Sequence, residues 1–124
     1  MSETNRAILC KMKLPYYESS QIKPEKIAAY LLSESHPSGR HKAKFFTSFG
    51  FTPNNWQQLS QALPKHAQQH NVASVESSPF GVRYVVEGNI QSPDKRNPFI
   101  RAVWFIEKNS TMPYFVTAYP VEGN

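Results

Sequence analysis

Between Ser35 and Phe46 the sequence reads SHPSGRHKAKFF, so His36, Arg40, His41, Lys42 and Lys44 fall within nine residues and two phenylalanines follow. Those residue types suit phosphate chemistry. Cleavage of an RNA phosphodiester needs a base near the 2′-hydroxyl, an acid for the leaving oxygen and cations for the developing charge. Histidine fits the first two roles because it titrates near neutrality, and lysine or arginine fits the third. His36 precedes Pro37 in a turn expected just before a helix N-terminus, where backbone N–H groups also attract anions. Lys42 lies within the next helical turn. His41 points about 100° away from Lys42 on that helix and reads as a solvated neighbour.

Other constellations are excluded or weak. Cys10 is the single cysteine, so no intramolecular disulfide can form and no Cys/His set has zinc spacing. His66 and His70 stand four apart on a candidate helix, but no nearby carboxylate completes a metal site, and both read as surface residues. No Walker-type loop, Ser-His-Asp set or paired carboxylates are present. If the chain is an enzyme, it is expected to need neither metal nor cofactor.

The elements that must position these residues divide the 124-residue chain into a helical half, about 13–71, and a sheet half, about 72–120, in a single domain spanning 1–124. KPEKIAAYLLSES opens with Pro24 at a helix start and continues with Ile27, Tyr30 and Leu31 on one face. A second helix is predicted from Ser38 or Gly39 to a Gly50 cap. A third starts at Asn54 or Asn55 and runs through WQQLSQAL, with Pro64 breaking or restarting it. From Val72 onward, segments rich in Val, Ile, Phe, Tyr and Thr alternate with turn residues, which predicts an antiparallel meander of three or four strands. AILCKMKL is a weaker extra edge strand. Helices followed by such a sheet make an α+β domain, with the helices packed on one face.

Alternation sorts the strand residues onto two faces. Val82, Tyr84, Val86, Ile100, Ala102, Trp104, Ile106, Tyr114, Val116 and Ala118 form an apolar face for the helices. The other face carries Arg83, Val85, Glu87, Phe99, Arg101, Val103, Phe105, Phe115, Thr117 and Tyr119, a basic and aromatic mixture suited to phosphates and stacked bases. Fourteen Lys and Arg against nine Asp and Glu give a net charge of +5, and nucleic acid is the commonest polyanion such a surface meets. No apolar run is long enough to span a membrane, and the N-terminus has no signal-peptide core. A soluble, cytoplasmic protein is expected.

EKIAAYLLSESHPSGRHKAKFFTSFGFTPNNWQQL, FGVRYVVEGNI, PDKRNPFIRAVWFI and the terminal VTAYP together resemble an uncharacterised bacterial domain family. Its pattern combines His-Pro-x-Gly-x-x-Lys-Ala-x-Phe-Phe with a final Thr-Ala-Tyr-Pro. That family occurs in small stand-alone genes and at the C-terminal tips of large secreted toxins. It resembles the barnase–EndoU–colicin–RelE group of ribonuclease toxins, whose plan is N-terminal helices followed by an antiparallel sheet. The resemblance covers about Lys13 to Pro120. It implies His36, Lys42, Arg101 and Thr117 as catalytic candidates, and Lys26, with Tyr119 in second place, as substrate-binding ones. Arg83 joins them from the basic sheet face. It also makes Gly39, Gly50, Gly81 and Gly88 turn residues.

The expected function is therefore a metal-independent endoribonuclease toxin of an intracellular toxin–antitoxin pair. Its partners would be an RNA substrate and a small acidic antitoxin or immunity protein, with no membrane involved. A non-catalytic RNA- or protein-binding module using the same sheet face is the alternative, and a scaffold domain without a site is a third.

Overall fold

A computed structural model of the chain describes residues 12–27 and 40–121. The elements are a single helical turn α1 (Pro24–Lys26), then α2 (Arg40–Ser48), α3 (Trp56–Gln69) and four strands: β1 (Val72–Ser78), β2 (Gly81–Asn89), β3 (Phe99–Glu107) and β4 (Tyr114–Pro120). The strands form one antiparallel sheet in chain order, β1-β2-β3-β4. The fold is α+β, with the helices against one face of an open sheet.

Three adjacent rows of that face make the centre of the core. Tyr84, Trp104 and Phe115 share one row, Val86, Ala102 and Ala118 the next, and Gly88, Ile100 and Pro120 the third. Against them the helices and loops bring Phe46, Phe51, Leu59, Leu63, Ala67, Leu14 and Ile27, all buried. Trp104 is fully buried and meets Phe115 edge-on, ring centres 5.5 Å apart, the geometry aromatic quadrupoles favour.

The β4 register departs from simple alternation. A bulge lies between the pairs Val103↔Thr117 and Trp104↔Phe115. Val116 is the extra residue, and it shifts every position before it by one. Phe115, expected on the outer face, is buried in the core, whereas Tyr114 is 40% exposed and Val116 half-buried. Strict period-two reading cannot detect an inserted residue.

Two helix boundaries follow from local chemistry. Gly50 adopts φ +100° after α2, and the Phe51 N–H returns to the Phe46 carbonyl at 3.2 Å, closing the helix in a glycine cap with Phe46 against Phe51. Before α3, the Thr52 hydroxyl and N–H both donate to Asn55 Oδ1, closing a 3₁₀ turn over Pro53–Asn55 with Pro53 at its first position. Contrary to expectation, Pro64 does not break α3. Burial of Leu59, Ala62, Leu63, His66 and Ala67 along one stripe outweighs the missing N–H and the crowding of the preceding turn. Met12–Leu14, the described end of AILCKMKL, is not a strand, although the Met12 carbonyl accepts from the Val72 N–H at 2.7 Å.

His66 also corrects the sequence reading, because it is buried rather than on the surface. Its Nε2 lies 3.0 Å from the Gly88 carbonyl and so donates to it. Its Nδ1 is buried with no hydrogen-bond partner among the described residues. His70 places its ring against the Gly88 backbone, where a Cβ would fall 2.3 Å from His70 Cγ. Gly88 is thus a packing glycine within β2 and not a turn. Gly81 does follow a turn, and a Cβ there would meet the Ile106 carbonyl at 2.3 Å.

Truncating Trp104 to alanine should lower unfolding free energy by about 3–5 kcal/mol in a denaturant titration. Burial lowers the His66 pKa from 6.5 to about 4, with the neighbouring His70 adding to the effect. The unfolded chain therefore binds a proton that the folded chain refuses between those values. Stability is retained above pH 6.5 and falls as pH drops towards 4, by up to about 3 kcal/mol for this group. In thermal melts His66→Gln, whose amide can donate to the same carbonyl, should be less acid-sensitive than the parent over that window.

Candidate functional site

Lys42 is brought to the sheet by the burial pattern of α2. Phe46 lies one turn on from Lys42, and Ala43 beside it; both are fully buried. Lys42 is therefore on the margin of the apolar stripe, where a long side chain can run along the protein and keep its ammonium polar. Its Nζ donates to Thr117 Oγ1 at 3.0 Å, across 75 positions of sequence. Both residues are half-buried. The bulge at Val116 sets Thr117 opposite Val103 on the face away from the core.

The C-terminal end of α2 is held as well. Arg96, from the β2–β3 loop, donates from Nη2 to the Ser48 carbonyl and sits 4.3 Å above the centre of the Phe49 ring. Asp94 fixes that arginine with an ion pair at 2.6 Å and accepts from Ser92 Oγ at 2.7 Å. A cation against the last carbonyls also complements the helix dipole. Desolvation pushes the Asp94 carboxyl up, but hydrogen bonds from Ser92 and Arg96 together with the Arg96 charge outweigh it and hold the group below its ordinary range.

One row from Thr117, the register sets Glu87, Arg101 and Tyr119 side by side across β2, β3 and β4. Arg101 Nε donates to Glu87 Oε2. Glu87, with a smaller contribution from Tyr119, raises the Arg101 pKa above its ordinary value. Thr117 and Tyr119 are alternate residues of one strand, so Arg101 is diagonal to Thr117. Lys42, Thr117, Arg101 and Tyr119 therefore share one end of the open face, at the β4 edge.

The other candidates are elsewhere. Arg83 faces Phe105 and Glu76, roughly 13 Å along β2 from Glu87 at 3.3 Å per residue. Lys26 lines a cavity beside Tyr114 and Phe115, at the start of β4. His36 and the side chain of His41 lie outside the described residues. The outer face is also less open than alternation implies. Val103 is fully buried and Val85 nearly so, an apolar pair between the Arg83 and Arg101 rows. Glu87 is the site residue the sequence reading passed over. Its place on the outer face was legible, but its role needs the row register that pairs it with Arg101.

The class of fold is defined by comparison with solved structures. The chain is similar to one chain of the structure titled "Contact-dependent growth inhibition toxin - immunity protein complex from Klebsiella pneumoniae 342" (TM-score 0.65, 13% identity), over 81% of this chain and 98% of that one. At that identity the likeness is one of architecture. In sequence, residues 13–122 match the family described as Domain of unknown function (DUF6883), and the chain belongs to that family. The match spans nearly the same residues as the motif resemblance, Lys13 to Pro120. No curated protein matches the sequence. Among the described residues no helix is long and apolar enough to cross a membrane.

The Lys42–Thr117 bond should be measurable as a coupling. In a double-mutant cycle of Lys42→Met and Thr117→Val, urea unfolding should give an interaction energy of about 1 kcal/mol, the range of a half-buried hydrogen bond. Additive effects would mean the bond is not made in solution.

Proposed function

We propose that this domain is the toxin of a toxin–immunity or toxin–antitoxin pair and that its activity is metal-independent RNA cleavage. The observation that carries the reading is the Lys42–Thr117 hydrogen bond beside the Arg101–Tyr119 pair. An ammonium, a guanidinium, a hydroxyl and a phenol from α2, β3 and β4 meet at one edge, although the sequence spreads them from position 42 to 119. Likeness of fold to a chain from a toxin–immunity complex supports the toxin half of the reading.

In the proposed reaction the 2′-oxygen of a ribose bonds to phosphorus while the bond to the 5′-oxygen breaks. The hydroxyl proton leaves the first oxygen and a proton is delivered to the second. His36, six residues before Lys42, is the group assigned to one of these transfers. Lys42 and Arg101 neutralise the non-bridging oxygens as charge develops there, and the Thr117 hydroxyl orients one of them. Glu87 acts on Arg101, fixing the direction of its guanidinium. The expected antagonist is a small acidic protein that covers these cations.

One observation favours the alternative of a binding module. Arg101 is already paired with a carboxylate, which reduces the charge it can offer a phosphate. The two readings separate in one experiment. Purified protein incubated with total RNA in EDTA should cleave it, and induced expression should arrest growth. Lys42→Ala and Thr117→Ala should each reduce cleavage, the lysine by about 10²–10³-fold, and His36→Ala by about 10²–10⁴-fold. Lys108→Ala, on the exposed β3–β4 hairpin, should behave as the parent. RNA that is bound and left intact would assign the domain to the binding class.

A further inference from the structure

Beside the start of β4 lies a cavity of about 330 Å³ whose walls are apolar and whose rim is cationic. Phe115 is at its base, and Ile22 and Pro24 contribute apolar surface. Lys23 is exposed and Lys26 half-buried among the lining residues. Tyr114, 40% exposed, completes the opening. Two backbone bonds fix the walls relative to each other: the Gln21 N–H donates to the Pro113 carbonyl at 2.9 Å, and the Phe115 N–H donates to the Gln21 carbonyl at 3.0 Å. The Tyr114 ring is braced by Phe105, centre to centre 5.7 Å.

A flat aromatic wall, an apolar interior and adjacent ammonium groups match the chemistry of a nucleotide, an aromatic base joined to a negative phosphate. Three residues further along β4 stands Thr117 with Lys42, about 10 Å away at strand spacing. The cavity and the cation site are thus stations on one strand. We infer that the cavity holds an unpaired base of single-stranded RNA, stacked on Tyr114, while Lys23 and Lys26 take the adjoining phosphates and the chain continues towards Lys42 and Thr117. This rests on the ribonuclease reading and adds its substrate class. Bases in a duplex are paired and stacked, so double-stranded RNA cannot fill the cavity.

The test uses a fluorescently labelled ten-nucleotide RNA with 2′-O-methyl groups, which removes the attacking hydroxyl so that binding alone is read. A matched strand lacking its bases keeps every phosphate. Anisotropy titrations should show the intact strand binding about tenfold more tightly than the abasic one, the range expected for stacking one base. Tyr114→Ala should bring the intact strand down to the abasic level. Tyr114→Phe should retain the difference, and a duplex of the same sequence should bind like the abasic strand. Thermal melts of the variants check that the exposed position has left the fold intact.

Equal affinity for intact and abasic strands, or an unchanged Tyr114→Ala, would overturn the inference. So would competition by a mononucleotide at concentrations near the strand's own Kd, which assigns the cavity to a free nucleotide. The parent reading is decided separately by cleavage of total RNA. A protein that cleaves RNA yet ignores the Tyr114 change keeps its ribonuclease assignment and loses the base pocket. Discrimination against the abasic strand with no cleavage of ordinary RNA has the opposite meaning.

Discussion

The bulge at Val116 is the constraint on which the rest of the arrangement depends. Without the extra residue, β4 could not bury Phe115 against Trp104 and also present Thr117 on the other face. The aromatic pair holds the middle of the core, and the hydroxyl belongs to the cation site. One inserted residue therefore joins the packing of the domain to its candidate site. A bulge also increases local twist, at the place where the edge strand receives the Lys42 side chain.

The helix that carries Lys42 is tied at two levels. Phe46 anchors its apolar stripe in the core, with Phe51 against it after the Gly50 cap. Arg96 grips its last turn through the Ser48 carbonyl and the Phe49 ring. A charged side chain on a nine-residue helix gains direction only when the helix itself cannot rotate. The β2–β3 loop thereby acts on the site from a distance, through a helix it touches at the end opposite to Lys42.

Much of this was legible from residue types and spacing. Strand segments, the Gly50 cap, the apolar face around Trp104 and the outward placement of Arg101, Thr117 and Tyr119 all follow from period and turn chemistry. What escaped was set by tertiary contact. Pro64 reads as a break because a local rule has no knowledge of the stripe from Leu59 to Ala67 that holds α3 together. His66 reads as surface because its partner is the Gly88 carbonyl, on a strand 22 positions away. Tyr114 and Phe115 exchange faces because the inserted Val116 leaves no mark in an alternating pattern. Motif resemblance nominates Lys42 and Thr117 separately without showing that they touch, and alternation places Glu87 on the outer face without naming Arg101 as its partner.

The order of the sheet has a consequence for how the domain forms. Strands adjacent in the chain are adjacent in space, so hairpins can assemble from contacts of short sequence separation, the kind that form early and fast. The Lys42–Thr117 contact belongs to the opposite category. It closes a loop of 75 positions and is made only when α2 is docked on a finished β4, against a loop-closure entropy that the hairpins do not face. A chain that is partly unfolded can keep its sheet and lack its cation site. The Lys42–Thr117 contact therefore reports on the last stage of folding, when α2 and β4 are both in place.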